Sequence, residues 1–491
     1  MNLGTALAWT LLKDANREFV SDDRRSYKGV ELLIGAMHIA DQVDAICSVP
    51  RVGLLIPTSG AFPIAALGAW LSGRAMVPMN YLLQQDELQY IIDDCGCDVI
   101  IASRQLVEHI GFVPKVKHII YLEDLKFRSM PSPRLPKLTP PQSLAVLLYT
   151  SGTSGRPKGV MLSHANLLAN ARQVTSHIQI RSSDIFFGVL PQFHSFGLTA
   201  LTLVPLMAQA RVVYAARFMP KKIVESIRKN RPTVFLGIPS MYNALLTVKS
   251  ATKEDFQSLR IALSGGEPLP DDVSRRFHER FGIKISEGYG MTETSPVTNV
   301  FLPGEIPVGS VGRALPGVIE RVVDPATGDI LPPDTDGELR IAGPNVMSGY
   351  FNLETETKEA FDEHGFLRTG DIARIDPDGF LFITGRIKEM MIVGGENVFP
   401  REIEEVLDAH PSVHASGVTG LHDPMRGEVP VAFVEIEEEC SVDSDALKVW
   451  CRERLAGYKV PKRIEIVQEL PRNATGKIVR RRLLPLLDST S

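Results

Sequence analysis

Between residues 50 and 215 short apolar runs alternate with helix-patterned stretches, and this rhythm restricts the chain to an α/β fold built on parallel sheet. Strands are expected over residues 52–57, 75–78 and 98–102, with helices over 61–71 and 85–94. The second helix carries Leu88, Ile91 and Ile92 on one face. A further α/β run follows, with strands expected at 185–190, 211–215, 233–237 and 260–264. From 308 to about 383 the texture changes to short strands punctuated by Gly, Pro and Asp, which predicts a small β subdomain. The last hundred residues read as compact α+β. Pro400 opens a helix with Ile403, Val406 and Leu407 inward, followed by a strand at 429–436, a helix at 444–455 and a strand at 463–470. At 491 residues the chain exceeds one compact core. The expected division is a large N-terminal domain, 1–385, of α/β sheet subdomains plus the β subdomain, and an α+β C-terminal domain, 386–491.

Composition narrows the partners. A formal net charge of −5 gives no reason to expect nucleic acid or an anionic membrane. The five cysteines are scattered, and none has zinc spacing, so disulfides and a structural metal are not expected. The first dozen residues are apolar but lack a basic leader, and read as an amphipathic helix rather than a signal peptide. No apolar run is long enough for a membrane span, and the expected location is cytoplasmic.

Residues 149–160 read YTSGTSGRPKGV, seven of the twelve being Ser, Thr or Gly. An apolar run at 144–148 precedes them as an expected buried strand. Ser163 can cap a following helix with Leu167, Leu168, Ala171, Val174 and Ile178 at helical spacing. Strand, Gly-rich loop and helix make a phosphate cradle: glycines admit the anion, N–H groups and hydroxyls donate to it, and Lys158 adds charge. It is not a Walker loop, because Gly159 stands where Ser or Thr would follow the Lys. The string resembles the signature of the adenylate-forming superfamily, which includes acyl- and aryl-CoA ligases, stand-alone adenylation domains and beetle luciferases. That resemblance assigns ATP binding to Thr150, Ser151, Gly152, Thr153, Ser154, Gly155 and Lys158.

Other segments extend the resemblance. Residues 190–197, LPQFHSFG, resemble the segment that places a His, here His194, near the substrate carboxylate. Members that activate α-amino acids carry an Asp beside it. Here the neighbour is Ser195, and no acidic residue occurs between Gly188 and Ala210, which argues against an amino-acid substrate. Residues 264–268, SGGEP, look like the adenine-side loop and supply Gly266, Glu267 and Pro268. In Gly288-Tyr289-Gly290-Met291-Thr292-Glu293 the resemblance puts Tyr289 against adenine, Thr292 on the α-phosphate and Glu293 on Mg²⁺. A ring offers a stacking face, a hydroxyl donates to an oxyanion, and a carboxylate suits a hard cation.

Around the turn Asp376-Pro377-Asp378-Gly379, residues 372–375 and 380–383 form an expected hairpin. Symmetric pairing sets Asp371 opposite Thr384, with Arg386 two residues beyond. The segment resembles the family's ribose corner, where Asp371 would accept from both hydroxyls and Arg386 would donate to ribose or phosphate oxygens. Lys388 takes the place of the hinge, Gly394-Gly395-Glu396-Asn397 resembles the loop lining the thiol tunnel, and PRNATGK at 471–477 matches the signature that carries the catalytic Lys477.

The resemblance covers about residues 50–485 and implies an acid–thiol ligase. A carboxylate attacks the α-phosphorus of MgATP, releasing pyrophosphate. A thiol then attacks the acyl adenylate and AMP leaves. Both first partners are anionic, so catalysis rests on positioning and on positive charge, with Lys477 bridging carboxylate and phosphate. The C-terminal domain would rotate about Lys388 between the steps. The acid is expected to be apolar, most like a fatty acid, against Phe196, Leu198, Ile238, Met241, Tyr242 and Gly265; an aryl acid is the alternative. Coenzyme A is the first choice of thiol. An acyl carrier protein, met by Arg480, Arg481 and Arg482, is the second, and a homodimer is left open. A non-catalytic nucleotide- or acyl-binding protein is disfavoured by the presence of Lys477 and Glu293.

Overall fold

The computed structural model describes the chain except residues 126, 128, 151–155, 302–306, 438, 439, 473–477, 490 and 491. The expected alternation resolves into two largely parallel sheets. In the first, Leu144–Thr150, Ala75–Pro78, Arg51–Leu55, Val99–Ala102 and His118–Tyr121 lie side by side and parallel. Ala75–Pro78 and Val99–Ala102 are buried at every position, as strands covered on both faces must be. The Gly-rich segment departs from expectation. Lys158–Ser163 is a strand that returns antiparallel to Leu144–Thr150, with Thr150 opposite Lys158. A strand therefore stands where the helix was expected, and the helix His164–His177 begins one strand later. Val160 and Leu162 are buried at strand spacing, which is why the extra strand forms. The cap is as expected: Ser163 Oγ accepts from the Asn166 N–H at 3.1 Å.

The second sheet runs Ser286–Gly290, Ile261–Ser264, Val234–Gly237, Ile185–Gly188, Arg211–Tyr214 and Glu18–Ser21, all parallel. Glu18–Ser21 joins through Val20 opposite Val212, a partner far away in sequence. At the other edge Tyr289 pairs antiparallel with Asn299. The expected β region is thus the antiparallel continuation of this sheet, which reaches 13 strands.

One core spans both sheets. At its centre the helix Ala61–Leu71 is buried at all positions after the first, and the Trp70 indole donates to Ala145 O at 3.0 Å. Gly68 lets this helix approach Gly29–Ile46; a Cβ there would lie 2.6 Å from Ile39 Cγ2. After Phe380–Arg386 the chain leaves the second sheet, turns through Ile387–Glu389, and enters a separate five-stranded sheet at Met391–Val393. That sheet contains Val413–Asp423, a strand not expected from the sequence. Ile403 and Leu407 of Pro400–Asp408 and Leu447 and Cys451 of Ser444–Arg452 are buried in its own core. Among the described residues no helix is long and apolar enough to cross a membrane.

Candidate active site

Both parallel sheets end their strands on one cavity of about 1150 Å³. Its walls follow the carboxyl ends of strands: Pro57, Tyr81 and Ser103 from the first sheet, and Val189, Leu190, Pro191, His194, Ile238, Gly265 and Gly288 from the second. This is where an open parallel sheet binds ligands.

His194 is the N-cap of the short helix Ser195–Leu198 and lines the cavity. The sharp entry needs Gly197, because a Cβ there would sit 2.1 Å from Pro191 O. The His194 ring packs on Phe193 at 4.6 Å, and its Nε2 is buried with no hydrogen-bond partner. Burial holds its pKa down at about 4, so the imidazole is neutral at pH 7. Ser195 Oγ lies 3.2 Å from Thr292 Oγ1, which joins the acid-side segment to the nucleotide-side segment. Sequence reasoning used Ser195 only as the absence of an acid.

Gly288, Tyr289, Gly290, Met291 and Thr292 all line the cavity. Gly290 is obligatory, since a Cβ would fall 1.9 Å from Pro296 O. The Tyr289 hydroxyl donates to Asp371 Oδ2 at 2.5 Å, and Arg386 Nε meets Asp371 Oδ1 at 2.7 Å. Burial, reinforced by the Asp371 charge, pushes the Tyr289 phenol well above its usual range. The expected register needs correction: Asp371 lies opposite Arg386, not Thr384. Ile375 pairs with Leu381 rather than Phe380, and a bulge between Ile372 and Ala373 adds the second residue of shift. The pair is buried on one side: the Asp371 side chain is 4% exposed and that of Arg386 is 50% exposed. Each Asp371 oxygen already accepts once and keeps capacity for another donor.

Glu293 is buried, which raises its pKa, and its Oε1 accepts from the Tyr350 hydroxyl at 2.9 Å. Lys158 Nζ sits 5.3 Å from the Tyr350 ring centroid, so the first residue of the strand Lys158–Ser163 and Glu293 share one tyrosine. Nothing in the sequence pointed to Tyr350. Ser151, Gly152, Thr153, Ser154 and Gly155 lie outside the described residues, as does Lys477.

Of the expected acyl walls, Phe196, Ile238, Met241 and Gly265 line the cavity. Leu198 and Tyr242 do not. Leu198 faces the main core, while Tyr242 is wholly buried in the helical layer behind the second sheet and donates to Leu263 O at 2.9 Å. On the adenine-side loop Gly266, with φ +87°, and Glu267 reach the cavity, whereas Pro268 is exposed outside it.

The AMP-binding enzyme family model matches residues 14–351, and that of the AMP-binding enzyme C-terminal domain matches residues 402–477. The chain belongs to the AMP-binding enzyme family. A long-chain-fatty-acid–CoA ligase of Bacillus subtilis is 32% identical, covering 97% of this chain and 93% of that protein. A feruloyl-CoA synthase of an Amycolatopsis species is 34% identical, covering 88% of this chain and 87% of that protein. The crystal structure of ATP-bound MatB from Rhodopseudomonas palustris matches with a TM-score of 0.91 and 31% identity over 99% of each chain.

For this AMP-binding enzyme the donor set fits Mg²⁺ held largely by phosphate. Among the described residues no cluster of three His, Cys, Asp or Glu side chains could cage a metal, and Glu293 offers one hard carboxylate beside the cavity segment. Mg²⁺ takes one or two carboxylates plus substrate phosphates in such sites. The expected thiol-tunnel loop is a two-residue hairpin turn, Gly394 at φ +62° and Gly395 at +93°, with Val393 opposite Glu396. Gly394, Gly395, Glu396 and Asn397 are exposed, and no described residue beyond Val300 lines the cavity. Lys388 lies in the turn Ile387–Glu389 that links the second and third sheets. Arg480 is not the free cation expected: it pairs with Glu389 at 2.8 Å and Glu404 at 2.6 Å, bracing the tail against that turn.

Proposed function

We propose that this AMP-binding enzyme is an acid–thiol ligase that activates an apolar carboxylic acid with ATP and passes the acyl group to coenzyme A. The observation that carries the proposal is the single cavity in which the neutral His194 and the nucleotide segment Gly288–Thr292 converge, joined at the Ser195–Thr292 contact. A carboxylate seated beside His194 would meet the imidazole Nε2 while Thr292 holds an α-phosphate oxygen. Its oxygen attacks the α-phosphorus, the bond to the bridging oxygen breaks, and pyrophosphate departs with the electron pair. Bound Mg²⁺ would neutralise phosphate charge, and Glu293 would be its protein ligand. Asp371 and Arg386 would hold the ribose, and Tyr289 would present its ring to adenine.

In the second step a coenzyme A thiolate attacks the acyl carbonyl and AMP leaves. We assign Lys477 to the first step, Gly394–Asn397 to the second, and the exchange between them to rotation about Lys388. Fatty acids are the leading class, because the acid-side walls Phe196, Ile238 and Met241 are uncharged. Aryl acids are the second, supported by the likeness to a feruloyl-CoA synthase. Arg480 is engaged internally, so a carrier protein would have only Arg481 and Arg482 of that triplet to meet. The free thiols are consistent with the cytoplasm, where they stay reduced.

The test is an acid panel scored for AMP release, with coenzyme A and a holo carrier protein offered in parallel. Acid-dependent pyrophosphate exchange, followed by AMP release only with coenzyme A, is the expected result. ATP binding with no exchange for any acid would leave a nucleotide-binding protein and overturn the proposal.

A further inference from the structure

The cavity has an end that acid activation alone does not use. Beyond His194 its lining passes into the seam between the two parallel sheets. Phe193, tilted against His194, also meets Tyr81 edge-on at 4.8 Å, and Tyr81 follows the first-sheet strand Ala75–Pro78. Farther along, Leu106, Ile110, Phe112 and Phe218 line the same cavity. At its rim stand three basic side chains from three separate segments: Arg24 before the second strand of the chain, His109 on the helix Arg104–Ile110, and Arg217 after the strand Arg211–Tyr214. All three are exposed. Arg217 Nη2 approaches His109 Nε2 at 3.4 Å, and Arg24 Nη2 donates to Gln105 Oε1 at 2.5 Å. Among the described residues neither guanidinium is ion-paired with a carboxylate; Asp23 stands between their segments, its Oδ2 accepting from the Ala216 N–H at 3.1 Å, and the cavity's acidic wall residue is Glu267, on the adenine-side loop.

The seam therefore has an apolar barrel and a cationic lip, and its inner end is the residue assigned to the substrate carboxylate. A wholly apolar tail reaching that lip would cover guanidinium and imidazole groups without replacing their water. A second anion would satisfy them. Resting on the acid–thiol ligase reading, we propose that the seam receives the far end of the acid, and that the preferred substrates are apolar acids with a second carboxylate. One carboxylate is activated beside His194 and the other is held by Arg217, His109 and Arg24.

The experiment is ATP–pyrophosphate exchange on the full chain with thiol absent, so that phosphates of coenzyme A cannot occupy the lip. Straight-chain monoacids and α,ω-diacids of matched length are compared in the wild type and in Arg217→Gln, Arg24→Gln and the double variant. At its best length the diacid should exceed the matched monoacid in kcat/KM by about tenfold, in line with charge-assisted contacts at a partly screened site. The double variant should abolish that advantage while monoacid rates and the KM for ATP stay unchanged; the monoacid rates also report that the variants are folded. Preference for monoacids at every length would overturn the assignment. So would an equal fall for both series in the double variant, which would make the lip an entry funnel instead. Exchange with no acid of either kind would overturn the ligase reading and this assignment together, whereas exchange with monoacids alone overturns only the assignment.

Discussion

Replacing His194 by Ala should damage use of the acid and spare ATP. Its Nε2 is buried without a partner on the cavity wall, and burial keeps the ring neutral by holding its pKa near 4. At pH 7 the ring is therefore neutral. The contact with the acid is then a neutral N–H donating to a carboxylate, and hydrogen bonds to charged groups contribute about 1.5–3 kcal/mol. Its loss corresponds to a fall of about 10- to 150-fold in kcat/KM for the acid. Pyrophosphate exchange at saturating ATP, with acid varied, measures this directly, and the KM for ATP should move less than about twofold on the same scale. A pH series adds a second check. A His with a lowered folded pKa takes its proton only below about 4, so between pH 5 and 8 the wild type should show no inflection that His194→Ala removes. An inflection near 6.5 that vanishes in the variant would refute the buried neutral ring. A large rise in the KM for ATP with acid use intact would refute its placement on the acid side.

Asp371→Ala should raise the KM for ATP by about 10- to 150-fold through loss of charge-assisted contacts, and the wild type should use 2′,3′-dideoxy-ATP poorly; equal use of both nucleotides contradicts the ribose assignment. Lys477→Ala should cut adenylate formation by roughly 3–4 kcal/mol of transition-state stabilisation. Given preformed acyl adenylate and coenzyme A, the same variant should still make thioester at near the wild-type rate, and equal loss of both steps would sink the alternation about Lys388. Glu320 accepts from Asn299 Nδ2 at 3.1 Å, but its Oε1 is buried without a partner, and burial raises its pKa to about 7. The folded state thus holds a proton that the unfolded chain releases near 4.5, so this group's contribution to stability is full below about 4.5 and is lost as pH rises from there through about 7, by on the order of 3 kcal/mol. Glu320→Gln should raise the melting temperature at pH 8 and flatten the difference between pH 5 and pH 8; an unchanged difference would show that Glu320 is ionised in the fold.

Most strands were legible because a doubly covered strand reads as an unbroken apolar run, as at Val99–Ala102, and the helix Ala61–Leu71 could be placed to the residue. The loops that follow those strands were legible for the same reason, since a parallel sheet fixes which ends face the ligand. Harder to read were features decided by distant partners. Glu18–Ser21 is a strand because Val212 accepts it, and Lys158–Ser163 is one because Leu144–Thr150 and Gly349–Tyr350 flank it. The hairpin at Asp371 slipped by two residues, one set at the turn, where Ile375 pairs with Leu381, and one by a bulge that leaves no mark in hydrophobic alternation. Tyr242 shows the limit of choosing pocket walls by apolar character: it is buried, but in the layer behind the sheet rather than at the cavity. Tyr350 became a site residue through its hydrogen bond to Glu293, and Ser195, on the cavity wall beside His194, through its contact with Thr292, each partner remote in sequence.

Arg386 ends the last strand of the second sheet with its grip on Asp371, and Lys388 stands two residues later in the turn to the third sheet. The proposed sugar clasp and the proposed pivot are therefore fastened to one short piece of backbone. On those assignments the clasp would stay with the second sheet, where Asp371 pairs with Arg386, while the chain beyond Lys388 turned. One anchor would then serve the nucleotide through both half-reactions.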